Sequence, residues 1–293
     1  MISTLDRPRT LARCLDALLA GTRLPQEVVV VDQGDPVPTR EVLEARRAAG
    51  VPLVHVTQPR RGLSASQNSG VEHSRSSAVA IVDDDCVPDS RWVEVAAREH
   101  STASGSLLVT GRVLPLPPEG ERTLALSTRT STQRAVLPPT APPWQVGTGG
   151  NFSVTRAAYL AVGGNDERLG TGAPGRAGND LDLFHRLQRA GVETRYEPDL
   201  VVLHERALPQ EHRLRRWTYG FGVGACVASW LREGDRSALR ILGAWVLMRG
   251  RRVLRARRPG TVLDEGRVLA GTVHGLWHGA RTSPRRPTIG PPP

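Results

Sequence analysis

The chain has 293 residues, 39% hydrophobic and 23% charged, which is enough for one large buried core or a core with an appendage. Its formal charge of +10 rests entirely on arginine, with no lysine. No run of eighteen apolar residues occurs, the N-terminus lacks the layout of a secretory signal, and Cys14, Cys86 and Cys226 are too scattered for a disulfide framework or a metal-type spacing. These features fit a reducing cytoplasm. Along the chain, Leu11, Cys14, Leu15, Leu18 and Leu19 form a helical stripe approached by Pro8. Val28 to Val31 read as a strand buried on both faces that ends at Asp32-Gln33-Gly34-Asp35. A polar helix is expected over 39–49, a strand over 51–56, and a turn entering a helix over 62–72.

Ala78-Val79-Ala80-Ile81-Val82 is a further apolar strand, and it ends in Asp83-Asp84-Asp85. Three adjacent carboxylates repel one another, and a divalent cation preferring oxygen ligands, Mg2+ or Mn2+, accounts best for holding them together. The competing reading is an acidic turn that caps the helix suggested by Trp92-Val93. Residues 101–147, rich in proline, read as a meandering connection near a site. Leu200 to Leu203 form another apolar strand, ending at His204. Strands alternating with helices predict an α/β fold with a mostly parallel sheet, whose strand carboxyl ends are where ligands bind.

Charge divides the chain. Residues 1–204 carry 22 Arg against 23 Asp and Glu, whereas residues 205–293 carry 17 Arg against 6. The boundaries expected are a catalytic domain over 1–204, a basic helical extension over 205–281 and a disordered Pro/Arg tail over 282–293. An excess of this size faces something anionic. No groove-reading or base-stacking element accompanies it, so nucleic acid is not expected. From Leu239 to Arg255 an apolar set, Leu242, Trp245, Val246 and Leu254, alternates with Arg249, Arg251, Arg252 and Arg255. That composition suits an interfacial helix on an anionic membrane surface, and equally a helix packing on the catalytic domain.

Several motifs occur in an order that resembles the inverting, nucleotide-sugar-dependent glycosyltransferases of family 2, with the GT-A fold. They are Ile2-Ser3-Thr4, Val30-Val31-Asp32, Arg61-Gly62 through Asn68, Asp83-Asp84-Asp85, Gly149-Gly150-Asn151, Gly163-Gly164-Asn165 and Asn179-Asp180-Leu181-Asp182. The resemblance runs from residue 1 to about residue 225. It implies a Rossmann-like, mostly parallel sheet flanked by helices and transfer of a sugar from a nucleotide-diphosphate donor to an acceptor hydroxyl with inversion. Mg2+ or Mn2+ would serve as cofactor. The acceptor would be a sugar, a lipid-linked or a small molecule, in envelope polysaccharide, glycolipid or secondary-metabolite glycosylation. The location implied is cytoplasmic, with the basic end peripheral to the inner face of the membrane.

Residue by residue, the resemblance assigns Asp180 as catalytic base. It assigns Thr4, Asp32, Arg61, Asn68, Asp83 and Asp84 to the nucleotide sugar, Asp85 and His204 to the metal, and Gly150, Asn151 and Trp217 to the acceptor side. Each has a plainer reading: a strand-end turn for Asp32, a helix cap for Asp180, a surface histidine for His204. Gln33 stands where the family usually has a second acid, which leaves the base open between uracil, thymine and guanine. Gln210, Arg213 and Trp217 partly match an Arg-Trp element, without the spacing of the processive polymerases. Asp182 falls on another side of the helix and reads as a salt-bridge partner. Only Met1-Ile2 precede Ser3-Thr4, fewer than in the family's first strand, so an upstream extension is expected to raise soluble yield and melting temperature. A non-catalytic nucleotide-binding or scaffold protein of the same fold is the alternative function.

Overall fold

The computed structural model describes residues 1–118, 123–125, 128–257 and 259–282, with 209, 210 and 212–214 as backbone only. The expected tail from residue 283 onward lies outside the described residues, as do the side chains of Gln210 and Arg213. The uninterrupted apolar runs become strands. β1 (Ile2–Thr4), β2 (Val28–Asp32), β3 (Leu53–Thr57) and β4 (Ala78–Asp83) are joined by α1 (Pro8–Leu19), α2 (Pro36–Glu44) and α3 (Leu63–His73). Leu11, Cys14, Leu15 and Leu18 give α1 the buried stripe expected of it. The helix expected over 39–49 begins earlier, because Asp35 caps the Val37 N–H, and it ends at Glu44 before a 3-10 turn at Arg47–Ala49.

After β4 come β5 (Cys86–Pro88), α4 (Trp92–Thr102), β6 (Leu107–Pro115), β7 (Ala135–Leu137), α5 (Pro143–Val146), β8 (Asn151–Thr155), α6 (Arg156–Ala161), α7 (Asn179–Arg189) and β9 (Glu193–His204). The strands form one sheet in the order β3-β2-β1-β4-β8-β6-β9-β5, with β7 on β9. Its first four members are parallel, and β8 enters antiparallel between β4 and β6. Reading 101–147 as a meandering connection is therefore corrected. The nine-residue strand β6 lies there, and Leu107, Leu108 and Val109 are fully buried in the sheet.

Register places the site. Ser3 lies opposite Asp83 and Thr4 opposite Asp32, so the acidic ends of β1, β2 and β4 meet at one edge. The antiparallel pairing of β5 with β9 sets Cys86 opposite His204, which returns the histidine to Asp85.

Three long helices follow: α8 (Pro209–Arg232), α9 (Ser237–Leu254) and α10 (Pro259–Arg281). α8 and α10 touch backbone to backbone. A Cβ on Gly271, Gly275 or Gly279 would overlap or crowd the carbonyl oxygens of Trp217, Phe221 and Ala225, and one on Gly220 or Gly224 would overlap those of Val268 and Thr272. The headgroup placement of Trp245 is corrected here. Its ring is fully buried 5.0 Å from Trp144, and its indole N–H donates to Thr272 Oγ1 at 3.1 Å. Arg249, expected on lipid, stacks on the Trp245 ring and pairs with Glu265 Oε2 at 3.1 Å. Leu242 packs half-buried in the same cluster, while Val246 and Leu254 point outward. Among the described residues no helix is long and apolar enough to cross a membrane.

Candidate active site

The three acids at the end of β4 occupy different environments. Asp84 turns inward and is buried: its Oδ2 accepts from Thr4 Oγ1 at 2.8 Å, and Arg7 lies 3.4 Å from its other oxygen. Asp83 is half-buried and Asp85 half-buried beside it. Burial first, then the Asp85 charge, pushes Asp83 up to about 7. Burial likewise pushes Asp84 up to about 6, against the bonds from Thr4 and Arg7. Arg7 also reaches Asp85 Oδ2 at 3.2 Å, presented by a turn in which Asp6 takes φ 53°. Sequence reasoning missed Arg7, since an exposed arginine in a turn carries no signal without its partners.

Asp85 and His204 suit a cation. His204 Nδ1 lies 2.6 Å from the Glu205 carbonyl, an obligate acceptor, so the ring proton sits on Nδ1 and the Nε2 lone pair faces outward. Nε2 is 3.6 Å from Asp85 Oδ1, and that oxygen is buried without a hydrogen-bond partner among the described residues. An imidazole nitrogen and a carboxylate oxygen facing each other are groups that a shared cation could hold, and Cys86 completes the cluster within 4.8 Å. Burial drives the Cys86 thiol far upward, so it offers no thiolate.

Asp180 stands at the start of α7. Its Oδ2 accepts from the Gly149 N–H at 2.9 Å and its Oδ1 from the Leu181 N–H at 2.9 Å. Burial raises its pKa, and these backbone donors moderate the rise. Gly149 and Gly150 bring two acids together. A Cβ on Gly149 would crowd Asp180 Cβ at 3.1 Å, and one on Gly150 would overlap Asp83 Oδ2. Asp83 and Asp180 therefore flank a single peptide, packed so closely against it that neither glycine could carry a side chain without displacing an acid. Gly150→Ala should displace the Asp83 carboxylate. We expect turnover to fall about 10²-fold, the scale of a 1 Å misplacement, with the melting temperature little changed. Steady-state kinetics beside a thermal melt checks it.

Several residues expected at ligands make their bonds within the protein. Asn68 is buried, accepting from Tyr159 Oη at 2.8 Å and the Asn165 N–H at 2.7 Å while donating to the Asn165 carbonyl. Asn151 is fully buried, taking the Trp92 indole N–H and donating to the carbonyls of Arg112 and Leu200. Asn68 was expected at the nucleotide sugar and Asn151 on the acceptor side, and both amides bond to groups within the protein. Asp32 is sealed too, accepting from the Gly34 N–H at 2.8 Å with His55 3.4 Å from its other oxygen. Thr4 and Asp84 bond each other below the surface. Gln33 clamps the turn at Arg61-Gly62 through three backbone bonds, so its amide is not turned toward a base. Arg61 is exposed and pairs with Glu167 at 2.6 Å. Trp217 lies against Phe221 and His274, with Arg176 over its ring at 5.6 Å, in the α8–α10 contact. Asp182 pairs with Arg186 and accepts the Trp230 indole N–H.

A family model described as Glycosyl transferase family 2 matches residues 1–159. The chain belongs to glycosyl transferase family 2. The matched segment of this family 2 glycosyltransferase holds the acids of β4 and the Gly149-Gly150 pair, while Asp180 and His204 follow it. Among curated relatives, the chain is 28% identical to a pre-mycofactocin glycosyltransferase of Mycobacterium tuberculosis, over 86% of its own length and 57% of that protein's. The chain thus spans little more than half of that relative. It is 31% identical to the glycosyltransferase AglE of Haloferax volcanii over 36% of its length. The mannosyltransferase PcManGT of Pyrobaculum calidifontis, solved with GDP-Man and Mn2+, aligns with TM-score 0.62 at 17% identity, covering 94% of this chain and 86% of that one. TarS of S. aureus aligns with TM-score 0.61 at 13% identity, covering 94% and 48%. At these identities the structural likeness is one of fold, and it is the GT-A fold.

The acids' raised pKa values fix a pH dependence. Asp83 and Asp84 stay protonated in the folded protein above the usual carboxylate range. Without a cation they therefore lower stability as pH rises through about 6 and about 7. A cation held at Asp85 would favour the ionised form of Asp83 beside it. The gain in melting temperature from Mn2+ should grow from pH 5 to pH 8 and level above about 7. Burial lowers the pKa of His100 and His185, which titrate with the opposite sign, but they act with and without Mn2+ and cancel in the difference.

Proposed function

We propose that the protein transfers a sugar from a nucleoside-diphosphate donor to an acceptor hydroxyl, with inversion at the anomeric carbon and dependence on a divalent cation. The observation carrying this reading is the pair of acids, Asp83 and Asp180, on either side of the Gly149–Gly150 peptide, with Asp85 and His204 turned toward each other behind them. Asp85 and His204 would hold Mg2+ or Mn2+, which when bound offsets the charge of the diphosphate leaving group. Arg7 adds a fixed positive charge at the same edge. Asp83 and Arg61 line the donor side, with Thr4, Asp32, Asn68 and Asp84 shaping the walls from beneath.

Inversion takes one displacement. The acceptor oxygen bonds to the anomeric carbon as the bond to the diphosphate oxygen breaks, and the hydroxyl proton passes to Asp180. A carboxylate with a pKa raised by burial is a stronger base than one in water, yet its two backbone donors keep it oriented. Gly149 and Gly150 let Asp83 and Asp180 approach the same peptide from two sides.

The names of related proteins support a nucleotide-sugar donor: PcManGT was solved with GDP-Man and Mn2+, and TarS with UDP. A panel of UDP-, dTDP- and GDP-sugars with Mn2+ or Mg2+ tests the reading. One nucleotide class should raise the melting temperature only with the cation and should release its diphosphate. Nucleotide stabilisation without turnover on any acceptor, from an intact Asp180, would favour the non-catalytic alternative. A peripheral membrane contact would now rest on the exposed Leu239, Val246, Leu247 and Leu254 of α9, with the exposed Arg251 and Arg255 on the same helix and its C-cap.

A further inference from the structure

A cavity of about 990 Å³ opens between α5, α9 and α10, with Trp144, Leu247 and Met248 on its apolar wall. Five arginines, at 216, 251, 252, 255 and 257, line it against only two acids, Asp264 and Glu265. Those acids are already spent. Glu265 pairs with Arg216 at 2.6 Å, Arg249 at 3.1 Å and Arg252 at 3.8 Å, and Asp264 pairs with Arg267 at 2.8 Å. Among the described residues, Arg251, Arg255 and Arg257 have no carboxylate within ion-pair distance. Three exposed arginines without a carboxylate partner among the described residues thus gather on one concave surface that also carries Trp144 and Met248.

Its position ties it to the acceptor side. Gln145, on its rim, is four residues before Gly149, the donor to Asp180, at most about 14 Å of extended chain. Arg129 fixes that rim by donating to the carbonyls of Trp144 and Gln145. Tyr219 stacks 6.3 Å from the Trp245 ring and lies within electrostatic reach of Asp180 on one side and of Arg249 and Arg129 on the other.

Resting on the reading of Asp180 as the acceptor's base, we propose that this cavity recognises a phosphorylated acceptor. Arg251 and Arg255 take its phosphate or diphosphate, and the Trp144 wall takes its apolar body. Guanidinium groups match phosphate oxygens with paired N–H donors, and three unpaired cations suit a multiply charged anion better than a single carboxylate. The phosphate could belong to a soluble sugar phosphate or to the headgroup of a lipid.

Inorganic pyrophosphate, titrated calorimetrically into the full chain in EDTA, tests the site without a cation at Asp85. The expected result is saturable binding near one equivalent, weakened at least tenfold in Arg251→Ala/Arg255→Ala and unchanged in Asp85→Ala. Both arginines are exposed and neither has a side-chain partner among the described residues, so the double variant should melt with the native protein. Absent binding, equal binding by the double variant, or loss of binding in Asp85→Ala would each overturn the proposal. Phosphatidylglycerol vesicles separate the sources. Pyrophosphate binding without vesicle binding assigns a soluble phosphorylated acceptor, and both together assign a lipid headgroup. Arginine-dependent vesicle binding without pyrophosphate binding would mean a flat membrane contact and would also overturn it. Metal-dependent stabilisation by nucleotide, measured in parallel, tests the donor reading and does not enter this readout.

Discussion

Asp180→Asn is expected to lower turnover by about 10²–10⁴, the usual scale of a lost general base, with donor affinity nearly unchanged. The substitution is almost isosteric, and an amide oxygen can still accept one of the bonds from the Gly149 and Leu181 N–H groups at 2.9 Å. Geometry is thereby preserved and basicity removed. Two measurements separate the roles. Single-turnover rates at saturating donor should carry the whole loss, and metal-dependent nucleotide binding by calorimetry should not move. If donor affinity collapsed while turnover at saturation survived, Asp180 would be a donor contact and the assignment of the base would be wrong. The pH profile gives a second reading. Burial raises the Asp180 pKa, so the acidic limb of the native rate should lie above the ordinary carboxylate range and disappear in the asparagine variant.

Asp85→Ala should remove cation-dependent nucleotide stabilisation altogether. In the native protein, a ligand at 100 times its dissociation constant stabilises by about 2.7 kcal/mol, readable as a rise in melting temperature. In the variant that rise should vanish for Mn2+ and Mg2+ alike, and turnover with it. The fold should not suffer. Asp85 lies at the end of β4, its Oδ1 has no partner among the described residues, and its charge helps to push Asp83 up to about 7. Removing it should let Asp83 ionise more readily. In EDTA the variant is expected to melt no lower than the native protein. A variant that kept EDTA-sensitive turnover would place the cation elsewhere.

Legibility in the sequence follows a physical division. Strands buried on both faces show as apolar runs, and acids at their ends show because charge cannot continue into a core. β2, β4 and the end of β9 could thus be read directly, together with Asp32, Asp83 to Asp85 and His204. Composition cannot say which way a polar side chain turns. Asn68 and Asn151 look like ligand contacts in a motif, yet each satisfies its amide among backbone groups brought close only by folding. α9 shows the same limit from the other side. A greasy stripe with arginines describes a membrane helix as well as one that buries Trp245 and neutralises Arg249 on Glu265. Only the distant Thr272 and Glu265 decide between them. β6 was hidden because the proline-rich sequence that follows it masked its nine residues. The spacing of Gly271, Gly275 and Gly279 was present in the sequence and was the one missed signal that could have announced how α10 packs.

That packing bears on how the protein is made. A Cβ on Gly222 of α8 would press on Ala177, and one on Gly178 would meet Cys226 Sγ at 2.9 Å, so α8 seats the backbone that leads into Asp180. α8 is seated in turn by the glycines of α10, which leave the ribosome some hundred residues after the base itself. A nascent chain can pair β1 to β4 and gather its acids early in translation. The backbone around Asp180 cannot be seated in this way until α10 emerges and docks on α8. The backbone that carries Asp180 is therefore fully seated only after the ribosome has moved well beyond it.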